Sequence, residues 1–159
     1  MLAYKERGRH GLALPLGALL AEVVAVAVGP ARPVLLVPVP DTAAAARARY
    51  GDHLNRLARH ATARLRGAGW DAATARPLRA LPRPDSVALN SVGRAVAAES
   101  AFRARGGRRW SAMGRTVVVL DDILTTGATL AAVSRTLRAM GMTPYVAAVL
   151  GATQKRRQW

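Results

Sequence analysis

Residues 117–130 read Val-Val-Val-Leu-Asp-Asp-Ile-Leu-Thr-Thr-Gly-Ala-Thr-Leu, and this stretch decides the fold prediction. The β-branched, apolar run Thr116 to Leu120 has the composition of a strand that is buried on both faces. Two adjacent carboxylates, Asp121 and Asp122, end this run, and a loop of small and hydroxyl-bearing residues then leads into a stretch with helical spacing. Further short apolar strands separated by helices predict an α/β fold with a parallel sheet.

The loop after this strand has the residue types of an anion-binding site. Backbone N–H groups and the positive dipole end at a helix N-terminus favour phosphate, threonine hydroxyls add donors, and Gly127 allows a ligand to approach the backbone. The two carboxylates would repel a phosphate, but they suit sugar hydroxyls or a hydrated Mg²⁺ ion. The residues therefore predict a site for a ribose 5-phosphate. In the alternative interpretation Asp and Thr are only helix caps, which explains one Asp or one Thr but not both acids and the whole loop.

The same segment resembles the PRPP-binding motif of type I phosphoribosyltransferases, which has four apolar residues, two acids, two apolar residues and then Thr-Thr-Gly-x-Thr. The resemblance implies that Asp121 and Asp122 hold the ribose hydroxyls, directly or through Mg²⁺ that accompanies PRPP, and that they are the catalytic acids. It also implies that the loop wraps the 5-phosphate. The loop positions are Thr125, Thr126, Gly127, Ala128 and Thr129.

Further stretches are similar to one branch of that family, the ComF-type phosphoribosyltransferases. Tyr4-Lys5-Glu6-Arg7-Gly8 resembles the opening of that branch, Val37-Pro38-Val39-Pro40 its first strand ending, and Leu57-Ala58-Arg59 a later segment. Asp52-His53 stand where the branch often has Asn-Gln. The resemblance implies a type I phosphoribosyltransferase-like fold, with a mostly parallel central sheet and helices on both faces. We expect one domain over residues 1–159, without the zinc ribbon that often precedes it in the family; either this branch lacks the ribbon or the chain begins downstream of it.

Basic residues on two segments are candidates for the pyrophosphate side of the site. Arg47 and Arg49 follow Pro40, and Arg105 lies in the Gly-containing basic segment Arg103 to Arg109, which could fold over the site as a lid. The alternative for each arginine is an ordinary solvated charge, and spacing alone does not separate the two interpretations.

Composition limits the class of protein. The chain has 159 residues, no cysteine, and a net charge of +15 that is spread over most of its length. We interpret most of this charge as generic surface arginine rather than as a polyanion-binding surface. The three histidines do not form a plausible metal set, and we expect His53 and His60 to be surface or partly packed residues. We also expect a cytoplasmic protein without a membrane span.

Periodicity and breaker residues predict the order of elements. The predicted helices are Leu12 to Val28, Asp52 to Leu65, a short one near Ser91 to Ala101, and Gly127 to Met140. The predicted strands are Val34 to Val39, a weaker one at Ala75 to Leu81, Thr116 to Leu120, and Tyr145 to Leu150. We expect Trp70, Trp110 and Trp159 to pack at edges.

Two functions of different classes remain open. The first is an enzyme that transfers the phosphoribosyl group of PRPP to an unidentified acceptor. The second is a non-catalytic protein that binds PRPP or a nucleotide and assists DNA uptake in natural competence, with single-stranded DNA or competence proteins as partners. The resemblance supports both functions, and neither excludes a homodimer.

Overall fold

The computed structural model describes residues 10–30, 33–42, 52–82, 101–106 and 110–153. After a 3₁₀ turn at His10–Leu12, the helices are α1 (Ala13–Val28), α2 (His53–Gly67) and α3 (Ala128–Ala139). The strands are β1 (Val34–Pro38), β2 (Ala72–Thr74), β3 (Leu78–Ala80), β4 (Phe102–Ala104), β5 (Thr116–Leu124) and β6 (Pro144–Ala152). Four of these strands form one parallel sheet in the order β2-β1-β5-β6, while β3 and β4 form a separate antiparallel pair.

The strand order makes the main sheet doubly wound. From β1 the chain passes through α2 to β2 on one side, and from β5 it passes through α3 to β6 on the other side. Because parallel crossovers are right-handed, connections that run in opposite directions place α2 and α3 on opposite faces of the sheet. The direction reverses between β1 and β5, which is where doubly wound folds bind their ligands.

The core lies between the sheet and its helices. Every residue of β1 is buried, and so are residues 117–120 of β5, which explains their continuous apolar sequence. On α2 the buried side chains recur at helical spacing and face β1 and β2, and the Thr62 hydroxyl forms a hydrogen bond with that of Thr74. Helix α1 packs against α2 and β6. These contacts fix α2 against the sheet, so that its first turn lies at the carboxyl ends of β1 and β5.

A glycine allows α1 and α2 to approach closely, and this gives a stability prediction. A Cβ atom at Gly17 would lie 2.4 Å from His60 Cβ and 3.2 Å from the Leu57 carbonyl oxygen. Alanine in a helix interior normally stabilises by about 1 kcal/mol relative to glycine. We expect Gly17→Ala to lower the free energy of unfolding instead, by about 1–2 kcal/mol, because the helices must separate. Urea unfolding measures this change, and Gly67→Ala, which adds a Cβ in open space, is the control; a Gly17 variant as stable as wild type would contradict the close packing.

Most of the predicted elements are present within two residues of their predicted ends, but two predictions were wrong. Strand β5 does not end at Leu120; it continues through both acids to Leu124, because β6 pairs with it over that length. The predicted strand at 75–81 contains only the short strand β3. Strand β2 lies just before the predicted range, and the two strands belong to different sheets. Positions 91–100, with most of the predicted short helix, lie outside the described residues.

Helix α1 is the most apolar helix of the described segments, but it has 16 residues. Across the described part of the chain, no helix combines the length and the hydrophobicity needed to cross a bilayer.

Candidate functional site

A crevice opens where β1 and β5 separate. The two strands pair as far as Pro38 and Leu120, and the backbone N–H of Val39 then donates to the Leu120 carbonyl at 2.9 Å. Among the described residues, β5 pairs from Asp121 onward with β6 and no longer with β1, so that its edge toward β1 is open there. Both acids therefore lie at the reversal point of the sheet, at the carboxyl end of a buried strand. This is the position at which a ligand site is expected in such a sheet.

The crevice continues into a cleft of about 310 Å³. Its polar wall comes from the ends of β1 and β5 and from the start of α3, and consists of Asp41, Thr42, Asp121, Asp122 and Thr129. A second part of the lining, the apolar wall, comes from the β3–β4 pair and the residues next to it, and consists of Ala80, Leu81, Ala101 and Phe102. One side of the cleft can therefore contact hydroxyls or cations, and the other can contact a flat or apolar group.

The two adjacent acids have different surroundings. Consecutive residues of a strand point to opposite faces of the sheet. The Asp122 side chain is buried on the α2 side, where its Oδ2 atom lies 3.1 Å from His53 Nε2 in a hydrogen bond. Asp121 is only half-buried, lines both the cleft and the loop before α3, and accepts a hydrogen bond from the Asp122 backbone N–H at 2.9 Å. Asp121 is thus the more accessible acid, and Asp122 is the more firmly held one.

The loop between β5 and α3 forms a small recess. It bends at residues 125–127, and Gly127 adopts a positive φ of 77°, which non-glycine residues rarely adopt. Helix α3 begins at Ala128, its first intrahelical bond runs from the Ala131 N–H to the Gly127 carbonyl, and its first turn carries no acidic residue. Gly127 has no side chain that could cap the helix, and Thr126 Oγ1 accepts a hydrogen bond from the Ala128 N–H at 3.4 Å. The next residues of the first turn, Thr129 and Leu130, border the recess, and their N–H groups can donate to an anion there.

His53 is part of this site, and the prediction of a surface or partly packed residue was wrong for it. The His53 residue is 6% exposed, and Asp122 is 5% exposed. On its other side, His53 Nδ1 lies 3.1 Å from Asp41 Oδ2, which is within ion-pair distance but lacks hydrogen-bond geometry. A sequence signal for this burial exists: His53 lies four, eight and twelve residues before Leu57, Ala61 and Leu65, which share the buried face of α2.

The remaining predicted residues divide into two groups. Arg105 is described, but it lies on the β3–β4 pair, where its Nε donates to the Leu78 carbonyl at 3.0 Å, and it does not line the cleft. Arg47, Arg49 and Trp159 lie outside the described residues. Trp70 and Trp110 are partly buried against the core, as expected of edge packing, and His60 is half-buried.

No protein-family model matches the chain, and no curated protein sequence matches it significantly. Within the described segments, no group of three or more His, Cys, Asp or Glu side chains could form a metal centre. The function must therefore be inferred from the chemistry of the cleft together with the sequence resemblance.

Proposed function

We propose that this protein binds PRPP together with Mg²⁺ in the cleft at the ends of β1 and β5, and that it transfers the phosphoribosyl group to an acceptor. One observation carries the proposal: the acid pair and the N-terminus of α3, whose first turn carries no acidic residue, lie next to each other at the carboxyl end of β5. Because Asp121 borders both the cleft and the recess, one ligand with hydroxyls and a phosphate can occupy both.

Different residues of the site would bind the phosphate and the hydroxyl groups of the proposed ligand. The 5-phosphate fits the recess, where the backbone N–H groups of residues 125–129 and the helix dipole favour an anion. The ribose hydroxyls fit beside Asp121 and Asp122, which as carboxylates accept hydrogen bonds. Carboxylate oxygens are also what Mg²⁺ prefers, and a Mg²⁺ site usually uses few protein ligands plus substrate phosphates and water. This agrees with the acid pair without an all-protein cage, and Mg²⁺ would supply charge neutralisation of the pyrophosphate.

In the proposed reaction, the bond between ribose C1 and the pyrophosphate oxygen breaks, and the electron pair leaves with pyrophosphate. A lone pair of the acceptor forms the new bond to C1, and the acceptor loses a proton. The ribose carries positive charge in between, so Asp121 and Asp122 would stabilise it electrostatically while the loop holds the phosphate in place.

The second candidate is a protein that binds PRPP or a nucleotide without transferring the group and acts as an accessory factor in DNA uptake. The apolar wall of the cleft favours it in one respect. The side chains of Ala80, Leu81, Ala101 and Phe102 offer no hydrogen-bonding group to recognise an acceptor. In this case PRPP would be a regulatory ligand, and single-stranded DNA would bind basic residues of the chain with a steep salt dependence.

Release of pyrophosphate separates the two candidates. We expect wild-type protein with Mg²⁺ and PRPP to release pyrophosphate when the right nucleobase or amine is added from a panel, and not without Mg²⁺. Binding of PRPP by calorimetry with no pyrophosphate from any acceptor would favour the sensor. A protein that neither binds PRPP nor releases pyrophosphate would contradict both.

A further inference from the structure

A buried histidine connects two acids of the cleft from behind. His53 Nε2 is 3.1 Å from Asp122 of β5, and His53 Nδ1 is 3.1 Å from Asp41, which follows β1. Both acids line the cleft, but His53 is not among its described lining residues. We therefore expect His53 to affect a ligand through Asp41 and Asp122, the two acids of the cleft that it contacts.

The three residues differ in how firmly the fold holds them. Asp122 lies within a strand, whereas Asp41 lies in the loop that follows β1. His53 begins α2, whose first turn is fixed by Asp52: one carboxylate oxygen accepts from the Asn55 backbone N–H, and the other binds the Arg76 guanidinium. Leu54 and Leu57 then anchor that turn in the core. The imidazole is thus held on a rigid element, and it attaches the less constrained Asp41 to the end of β5.

The negative charges of Asp41 and Asp122 explain why an imidazole between them matters. Asp41 and Asp122 both contact one ring, so they are close enough to repel each other where little water is present to screen them. An imidazole between them donates a hydrogen bond to a carboxylate and separates the two like charges. Without the ring, we expect Asp41 to move away from Asp122 and the polar wall of the cleft to widen.

We infer that His53 is a positioning residue of the cleft: it holds Asp41 and Asp122 in a single arrangement, and the affinity for Mg²⁺–PRPP depends on it. This inference rests on the proposed function. Residues that orient ligating side chains without touching the ligand typically change affinity or activity about 10–100-fold when they are replaced. Because His53 acts on two acids at once, its effect and that of Asp41 must be coupled.

Calorimetry with PRPP and MgCl₂ tests the inference on wild type, His53→Leu, His53→Gln, Asp41→Asn and the double variant of His53→Leu with Asp41→Asn. We expect His53→Leu to raise the Kd about 10–100-fold. The Kd of His53→Gln should lie between those of wild type and His53→Leu, because an amide donates to Asp122 but cannot also reach Asp41. The loss of binding free energy in the double variant should be smaller than the sum of the losses in the two single variants. His60→Gln, on the same helix but against α1, is the matched control and should leave the Kd unchanged.

Several outcomes would overturn the inference. If His53→Leu binds within twofold of wild type, or if the His53 and Asp41 effects add, His53 does not position the acids. If His53 serves only the packing of α2, its replacement by leucine would lower the urea midpoint without changing the Kd of the folded protein. The Kd of His53→Gln would then not lie between those of wild type and His53→Leu. If His53→Leu does not fold, the comparison of His53→Gln with wild type decides in the same way.

A ligand-free measurement distinguishes failure of this inference from failure of the proposed function. If wild type does not bind PRPP, the proposed function is contradicted, and urea unfolding of the same single and double variants then tests the connection alone. If the changes in the unfolding midpoint are coupled, His53 does link Asp41 to Asp122. If they are additive, it does not.

Discussion

Changing Asp121 and Asp122 together to asparagine is expected to raise the Kd for PRPP in the presence of Mg²⁺ by about 100-fold or more. Hydrogen bonds to charged groups contribute about 1.5–3 kcal/mol each, and tenfold in Kd corresponds to about 1.4 kcal/mol. Asparagine keeps the size of the side chain but loses the charge that Mg²⁺ and the ribose hydroxyls require. Isothermal titration calorimetry with and without Mg²⁺ measures the effect.

The sign of this effect separates the proposed role of the acids from simple repulsion. If the acids only repelled phosphate, their removal would tighten PRPP binding, and this result would contradict the account. Because Asp122→Asn also changes the contact with His53, Asp121→Asn alone is needed to isolate the effect of the more accessible acid. Asp71→Asn is the matched control, since Asp71 is exposed at the amino end of β2 and pairs with Arg115 there.

Replacing Gly127 with valine is expected to abolish tight PRPP binding, with a Kd at least about tenfold higher. A left-handed φ of 77° costs a non-glycine residue about 1–2 kcal/mol, and a β-branched residue more. The Cβ atom itself has room, because its nearest neighbour is Leu124 Cδ1 at 3.8 Å. The loss therefore comes from backbone rearrangement of the loop that presents the N–H groups, and calorimetry with PRPP measures it.

Gly141→Val is the matched control for this strain. Gly141 has the same φ of 77°, lies at the other end of α3, and has open space around its Cβ position. Both variants should lose similar stability in urea unfolding, but only Gly127→Val should lose PRPP affinity. Equal affinity in the two variants would mean that the loop does not bind the phosphate.

The sequence predicts the parts of this structure that depend on local patterns. Strand β1 and the apolar part of β5 follow from continuous runs of buried residues, and the three helices follow from spacing and terminal glycines. The sequence prediction ends this strand at Leu120, before the two acids, so residues 121–124 lie outside it. They remain in β5 because β6 supplies backbone partners, and such pairing between distant segments has no local signature.

For the candidate site too, the sequence predicts the features that are local and misses those that depend on tertiary contacts. The acid pair and the loop are contiguous in sequence, so their chemistry could be inferred from one segment. The contact between His53 and Asp122 joins residues 69 positions apart, and only the packing of α2 against β1 and β5 creates it. The apolar wall from β3 and β4 is also a product of tertiary structure, because Ala80 and Phe102 have no pattern that marks them as ligand-facing.

A crystal structure of the protein with PRPP and Mg²⁺ tests the central claim most directly. The account predicts the 5-phosphate within hydrogen-bond distance of backbone N–H groups of residues 125–129, with the ribose hydroxyls on the side of Asp121. PRPP bound elsewhere on the chain, or bound with its pyrophosphate rather than its 5-phosphate in the recess before α3, would contradict it.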